Sequence, residues 1–241
     1  MIWYRHWLEL RSTAVGLIAA AAVLGPFYLR RELLDPGPYR GNGYEANLLR
    51  PLIDSLEPLQ LTALERHLEF LWFAILFGSL FLAADGLRIF TNQFGRTGLV
   101  TTTAQYTLSL PVSRHRVVLT RIAAGYLLGA VALTLALAAN VVVLKLFDRG
   151  VPFVPMLLAT GFATLVILFW ICILISMLVI AGSGWGVALT LIGMLFGSPV
   201  AMWGMSAAAG GTLGWPLLLL FVVVLLVAVY VSVAIVAGEE V

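Results

Sequence analysis

The sequence predicts an all-α polytopic membrane protein: an interfacial N-terminal helix, six transmembrane helices, and a long loop between spans 1 and 2. Three observations lead there. The chain is 61% apolar and only 11% charged, with a mean hydropathy of +1.03, whereas about a quarter of the residues of a soluble domain are charged. From Gly150 to Gly238, an 89-residue stretch, there is no Asp, Glu, Lys or Arg, and one bilayer-spanning helix needs roughly 20 apolar residues. The apolar runs are also unbroken, whereas barrel strands alternate apolar and polar over about ten residues. Lipid cannot hydrate a peptide group, so the backbone must pair internally, and of the two structures that achieve this the pattern selects helices.

Residues 1–12 form the first element. Trp3, Tyr4, Trp7, Leu8 and Leu10 fall on one helical arc with Arg5, His6 and Glu9 opposite, a pattern suited to a helix lying in the membrane interface. Residues 13–29 are the first span. The run at Ala19 to Ala22 resembles a signal-cleavage site, but the apolar stretch exceeds the usual 7–15-residue signal core, so it reads as a signal anchor. Residues 30–62 are an outer loop, punctuated by Pro36, Pro38, Gly41, Gly43, Pro51 and Pro58. Leu49, Leu52, Leu56 and Leu59 in its second half suggest short amphipathic turns on the membrane surface. Thr62 and Glu65 match a capping box, so the second span, 63–84, begins there.

Residues 85–121 are an inner loop rich in arginine, and 122–144 are the third span. The 89-residue neutral run must fold back on itself, because a single helix of that length would extend roughly 130 Å. Gly182-Ser183-Gly184 and the stretch Gly204 to Gly214 are the expected breaks. They leave spans at 156–181, 185–203 and 215–237, and the whole of 1–241 is one transmembrane domain.

Arginine and lysine near the span ends set the orientation. Seven fall on each side, so their number decides nothing. Arg88, Arg96, Arg114, Arg116 and Arg121 lie in one compact inner segment, however, while Arg40 and Arg50 sit deep in a long loop that translocates largely regardless of charge. This favours both termini in the cytoplasm, in a cell (inner) membrane.

Several chemistries are disfavoured. A net charge of +2 suggests no nucleic-acid partner. Cys172 is the only cysteine, so no disulfide forms within the chain. His6, His67 and His115 lie on different polar segments and none is placed inside a span away from its ends. Ser183 therefore has no partnering base and reads as turn chemistry rather than a nucleophile. No catalytic residue, bound cofactor or metal ligand set is expected, because no Cys/His/Asp/Glu group has ligand spacing. Lys145 is the only lysine and follows no glycine-rich loop, so the chain has no ordinary ATP site. Ion-coupled carriers place ionisable groups within the membrane, and the predicted spans hold none away from their ends. Asn140 is the most polar residue at depth. It reads first as an interhelical hydrogen-bonding group and second as a pathway residue.

The inner loop carries the most specific signal. It contains Gly95-Arg96-Thr97-Gly98, then Tyr106 and Leu108-Ser109-Leu110-Pro111-Val112-Ser113-Arg114, and continues through Arg116 and Arg121 into a span. Pro111 ends an apolar turn, and Ser113 is placed to cap the following helix. This stretch resembles the permease subunits of ATP-binding-cassette exporters of the type-2 superfamily, in which a Leu-Ser-Leu-Pro-Val-Ser-Arg phrase precedes the third span. Leu108 to Arg114 match the phrase and Val117 to Leu119 its hydrophobic continuation. Thr120-Arg121 stand where glycine and lysine are usual, and Gln93 and Gln105 occupy a neighbourhood the family makes acidic.

The resemblance implies that two permease subunits pair, as a homo- or heterodimer, each docked on a separate ATPase that binds ATP and Mg. Residues Gly98 to Tyr106 are then the candidate coupling segment, with Arg96, Gln105, Tyr106, Pro111, Arg114 and Arg116 as candidate ATPase contacts. On the plainer reading, these arginines enforce topology and bind membrane lipid phosphates. Gly193 and Gly197 form a Gly-x-x-x-Gly face suited to close helix packing, and Pro199 with the turn after it is a candidate re-entrant cap. The implied activity is that of an exporter permease with no catalysis of its own. The alternatives are an ion-gradient-driven carrier and a lipid-acting membrane enzyme.

Overall fold

The computed structural model describes residues 14–27, 29, 58–83 and 113–238, which are helical apart from short turns and contain no strand. The expected interfacial helix at 1–12, most of the loop 30–62 and residues 85–112 lie outside the described residues. Five helical stretches result: α1 (Ala14–Phe27), α2 (Pro58–Ala83), α3 (Arg114–Leu146), α4 (Phe153–Ala209) and α5 (Trp215–Gly238). Among the described residues, four helical segments are long and apolar enough to cross a membrane: His115–Leu146, Phe153–Met177, Ala188–Ala209 and Trp215–Ile235. Their outer surfaces expose Leu127, Leu158, Phe196, Leu220 and Val223, as lipid-facing helices do and water-facing ones do not.

Helical backbone continues through all 57 residues of α4, but α4 is not a straight rod. A Cβ placed on Gly204 would meet Phe162 Cε1 at 2.5 Å, and one on Gly197 would meet Trp170 Cζ2 at 3.1 Å. In a straight helix Phe162 and Gly204 would stand roughly 63 Å apart. The two contacts centre on residue 183, so the chain reverses where Gly182-Ser183-Gly184 stand in the sequence. The N-terminal arm is the central element of the bundle, with half of its most apolar stretch buried against 17% for α5. α2 and α3 pack on it, and Leu64, Leu71, Leu133, Ala159, Ile167 and Ile171 belong to one continuous core.

Several boundaries differ from the sequence expectation. α2 starts at Pro58, so position 62 lies within the helix and not at its N-cap. Proline suits a first helical position because its missing N–H has no intrahelical acceptor there. α3 starts at Arg114, eight residues before the expected span. Ser113 is at the cap position without a side-chain cap bond, and its carbonyl accepts from the N–H of Arg116 at 3.0 Å.

The expected break over Gly204 to Gly214 shrinks to 210–214. Gly204 stays helical with the Phe162 ring filling the space of its missing side chain, and Pro199 lies inside the helix. The helix ends where Gly211 takes φ +65°. The N–H of Thr212 then reaches Ala207 O and that of Gly211 reaches Ala208 O, the paired bonds of a Schellman stop. α3 ends the same way on Asp148 at φ 50°, with Arg149 N–H donating to Leu144 O and Asp148 N–H to Lys145 O.

Successive helices run antiparallel, so one end of the bundle gathers the finish of α1 and α3 and the start of α2 and α4. The opposite end gathers the start of α3, the reversal of α4 and the finish of α5. These are called below the Asn140 end and the Arg116 end.

Candidate functional site

At the Arg116 end, α3 opens with Arg114, His115 and Arg116, and its first turn holds no acidic residue. A helix N-terminus carries a partial positive charge, so each cation placed there costs about 0.3–1 kcal/mol relative to an acid. His115 and Arg116 are exposed, while Val117 and Val118 beside them are buried. The apolar side thus anchors the turn and the cationic side faces outward. Thr120 bonds back to Arg116 O at 2.8 Å and to Val117 O at 2.9 Å, which holds the turn to the helix. An end at which the dipole and the basic side chains share a sign attracts anions, such as an acidic protein surface or lipid phosphates. Of the expected coupling residues, Arg96, Gln105, Tyr106 and Pro111 lie outside the described residues, as does the segment 98–106.

The Asn140 end contains a polar cluster that the sequence reading did not assemble. His67 of α2 is fully buried, with Nε2 2.9 Å from Thr160 Oγ1 of α4 and Nδ1 3.0 Å from Asn140 Nδ2 of α3. The Thr160 hydroxyl donates to Met156 O at 2.7 Å. Its lone pairs are therefore left to accept from His67 Nε2–H, and Nδ1, unprotonated, accepts from the Asn140 amide. The partners thus assign the ring as a neutral tautomer. Asn140 Oδ1 has no hydrogen-bond partner. It lies against Gly25 of α1, where a Cβ would stand 2.8 Å from it. Four helices consequently meet on one polar contact.

His67, which the sequence places on a polar segment, stands ten residues into α2 and is buried between helices. Leu64, Leu68 and Leu71 are all buried, so the helical period that aligns them places His67 on the buried face. That period was readable in the sequence. The partners, 73 and 93 residues away along the chain, were not.

Gly193 and Gly197 do receive a close neighbour. It is Trp170 of the other arm of α4, with the nearest ring atoms 3.6 Å and 3.1 Å from the positions a Cβ would take. The same spacing recurs at Gly125 and Gly129 of α3. Cβ atoms there would approach Ile171 at 3.5 Å and Leu82 at 3.1 Å, respectively, so α3 closes on α2 and α4 through small residues. Cys172 is buried and unpaired among apolar neighbours. Among the described residues no group of three His, Cys, Asp or Glu side chains is placed to hold a metal ion.

The described geometry therefore offers a cationic helix start at one end of the bundle and a buried neutral polar cluster at the other. Comparison with protein-family models, with curated proteins and with solved structures finds no match.

Proposed function

We propose that this chain is the transmembrane permease subunit of an ATP-binding-cassette transporter, an exporter, and that it forms half of the translocation pathway. A second permease subunit supplies the other half. A separate ATPase subunit, which binds ATP and Mg, drives the movement through the inner loop between spans 2 and 3. On this reading the chain crosses the inner membrane six times with both termini in the cytoplasm and carries out no catalysis itself.

The observation that supports the reading most is the joining of the Leu108 to Arg114 phrase to a continuous 33-residue helix that begins at Arg114. A helix of that length is roughly 50 Å long, against a hydrocarbon core of about 30 Å. α3 is therefore long enough to span the core and project its basic first turns beyond it, toward a partner. The test is purification of the full chain from its native membranes in mild detergent. An ATPase subunit should co-purify, and Arg114→Glu with Arg116→Glu should release it. A chain that purifies alone with its transport activity intact would end the proposal.

One observation favours a second reading. His67 is an ionisable side chain buried between helices, which is what a proton-driven carrier requires. That reading predicts transport abolished by collapsing the proton gradient and by His67→Phe, yet insensitive to ATP depletion.

A further inference from the structure

We propose that the Gly25–Asn140–His67–Thr160 contact is a fixed pivot, about which α3 tilts while the Arg116 end of the bundle moves. The inference goes beyond the permease reading and does not depend on which partner supplies the force.

Three features carry it. First, the contact is directional and spans four helices: α3 donates to α2, α2 donates to α4, α4 returns the bond to its own backbone, and α1 seals the free oxygen of Asn140 through Gly25. A buried polar chain of this kind fixes register, because sliding any helix strands a polar atom away from water. Second, the surrounding packing is continuous. Leu29, Leu144, Met156, Ala159, Met205 and Ala209 are all nearly inaccessible and belong to the same core cluster. Third, α3, α4 and α5 meet at the Arg116 end in a separate, smaller apolar cluster of Val118, Ile122, Cys172, Ala228 and Val233. Apolar contacts carry no directional requirement, so a small shift in this cluster costs less than one that breaks a buried hydrogen bond. From Arg116 to Asn140 α3 is a lever roughly 36 Å long, and a 10° tilt about Asn140 carries its basic end about 6 Å.

The test uses the full chain in lipid nanodiscs, with Cys172→Ala as background and paired spin labels read by pulsed electron resonance. One pair, Val142 with Leu158, reports the Asn140 end. The other, Leu119 with Tyr230, reports the Arg116 end. All four side chains are exposed in the monomer. The pivot predicts a narrow distance distribution for the first pair and a broader one for the second, by several Å for a tilt of this size. Thr160→Val, which keeps the shape and removes the hydroxyl, should broaden the first distribution toward the second. Thr160→Ser should leave it narrow. Equal widths at the two ends of the parent protein, or a Thr160→Val protein whose Val142–Leu158 distribution stays narrow, would overturn the pivot. Thr160→Val is close to isosteric, so the comparison does not depend on the more disruptive His67→Phe variant.

Discussion

Gly204→Ala is the most informative single substitution in this bundle, because it tests the reversal of α4 through one contact. A methyl group there would stand 2.5 Å from Phe162 Cε1 and 2.6 Å from Cζ, about 1 Å inside ordinary carbon contact. Either the ring leaves its rotamer or the arms part, and overpacking of this kind costs about 1–3 kcal/mol. The gain in helix propensity from glycine to alanine, about 1 kcal/mol, opposes it. Gly161 supplies the control. It lies in the same helix with nothing within 4 Å of its added Cβ, so Gly161→Ala should show the propensity gain without the clash. The expected gap between the two variants is therefore about 1–3 kcal/mol. It can be read as the shift in unfolding midpoint on SDS titration of the protein in mixed micelles. In a Phe162→Leu background the gap should shrink, giving a coupling energy of similar size in the double-mutant cycle. If Gly204→Ala stabilises as much as Gly161→Ala, or shows no coupling to Phe162, the two arms are not packed as described.

Further outcomes follow from the same geometry. Asn140→Leu removes the donor to His67 Nδ1 and should destabilise by about 1–2 kcal/mol, and pairing it with His67→Phe should recover part of the loss; simple additivity in that unfolding cycle would contradict the hydrogen bond. Gly25→Ala should act on the same contact, because its methyl displaces the Asn140 amide; a Gly25→Ala chain in which the His67 imidazole nitrogen shifts measured by NMR are unchanged would refute the seal. Gly211→Ala places a side chain at φ +65° with open space around it, so its cost should be conformational alone, about 1–2 kcal/mol. A loss much larger than that in thermal unfolding would mean that the turn is packed rather than open.

Parts of this fold were legible in the sequence because they rest on local chemistry. The absence of charge from Gly150 to Gly238 demands a chain that turns back within the membrane, and the midpoint of the α4 contacts falls on the glycine-flanked Ser183. The helix stops were harder to read. Gly204 has the composition of a turn yet sits inside a helix, because what fills its missing side chain is an aromatic ring 42 residues away in the sequence. Asp148 takes a left-handed conformation usually left to glycine, so no glycine marks the end of α3. The polar cluster was legible only in part. Asn140 stands out as the polar residue in an apolar run, whereas His67, beside Arg66 and Glu69 that pair at 2.6 Å, resembles one more member of a charged helix start. Periodicity shows that His67 faces inward, but only tertiary packing brings it to Asn140 and Thr160.

The central claim is that force from a nucleotide-hydrolysing partner enters through the basic start of α3. Site-specific photo-crosslinking in native membranes tests it most directly, with the photoreactive residue placed at position 116 and, as the opposite-end control, at position 142. The account predicts a covalent adduct with an ATPase subunit from position 116 and none from position 142. Lipid adducts alone from position 116, in membranes where transport by the chain is intact, would contradict it.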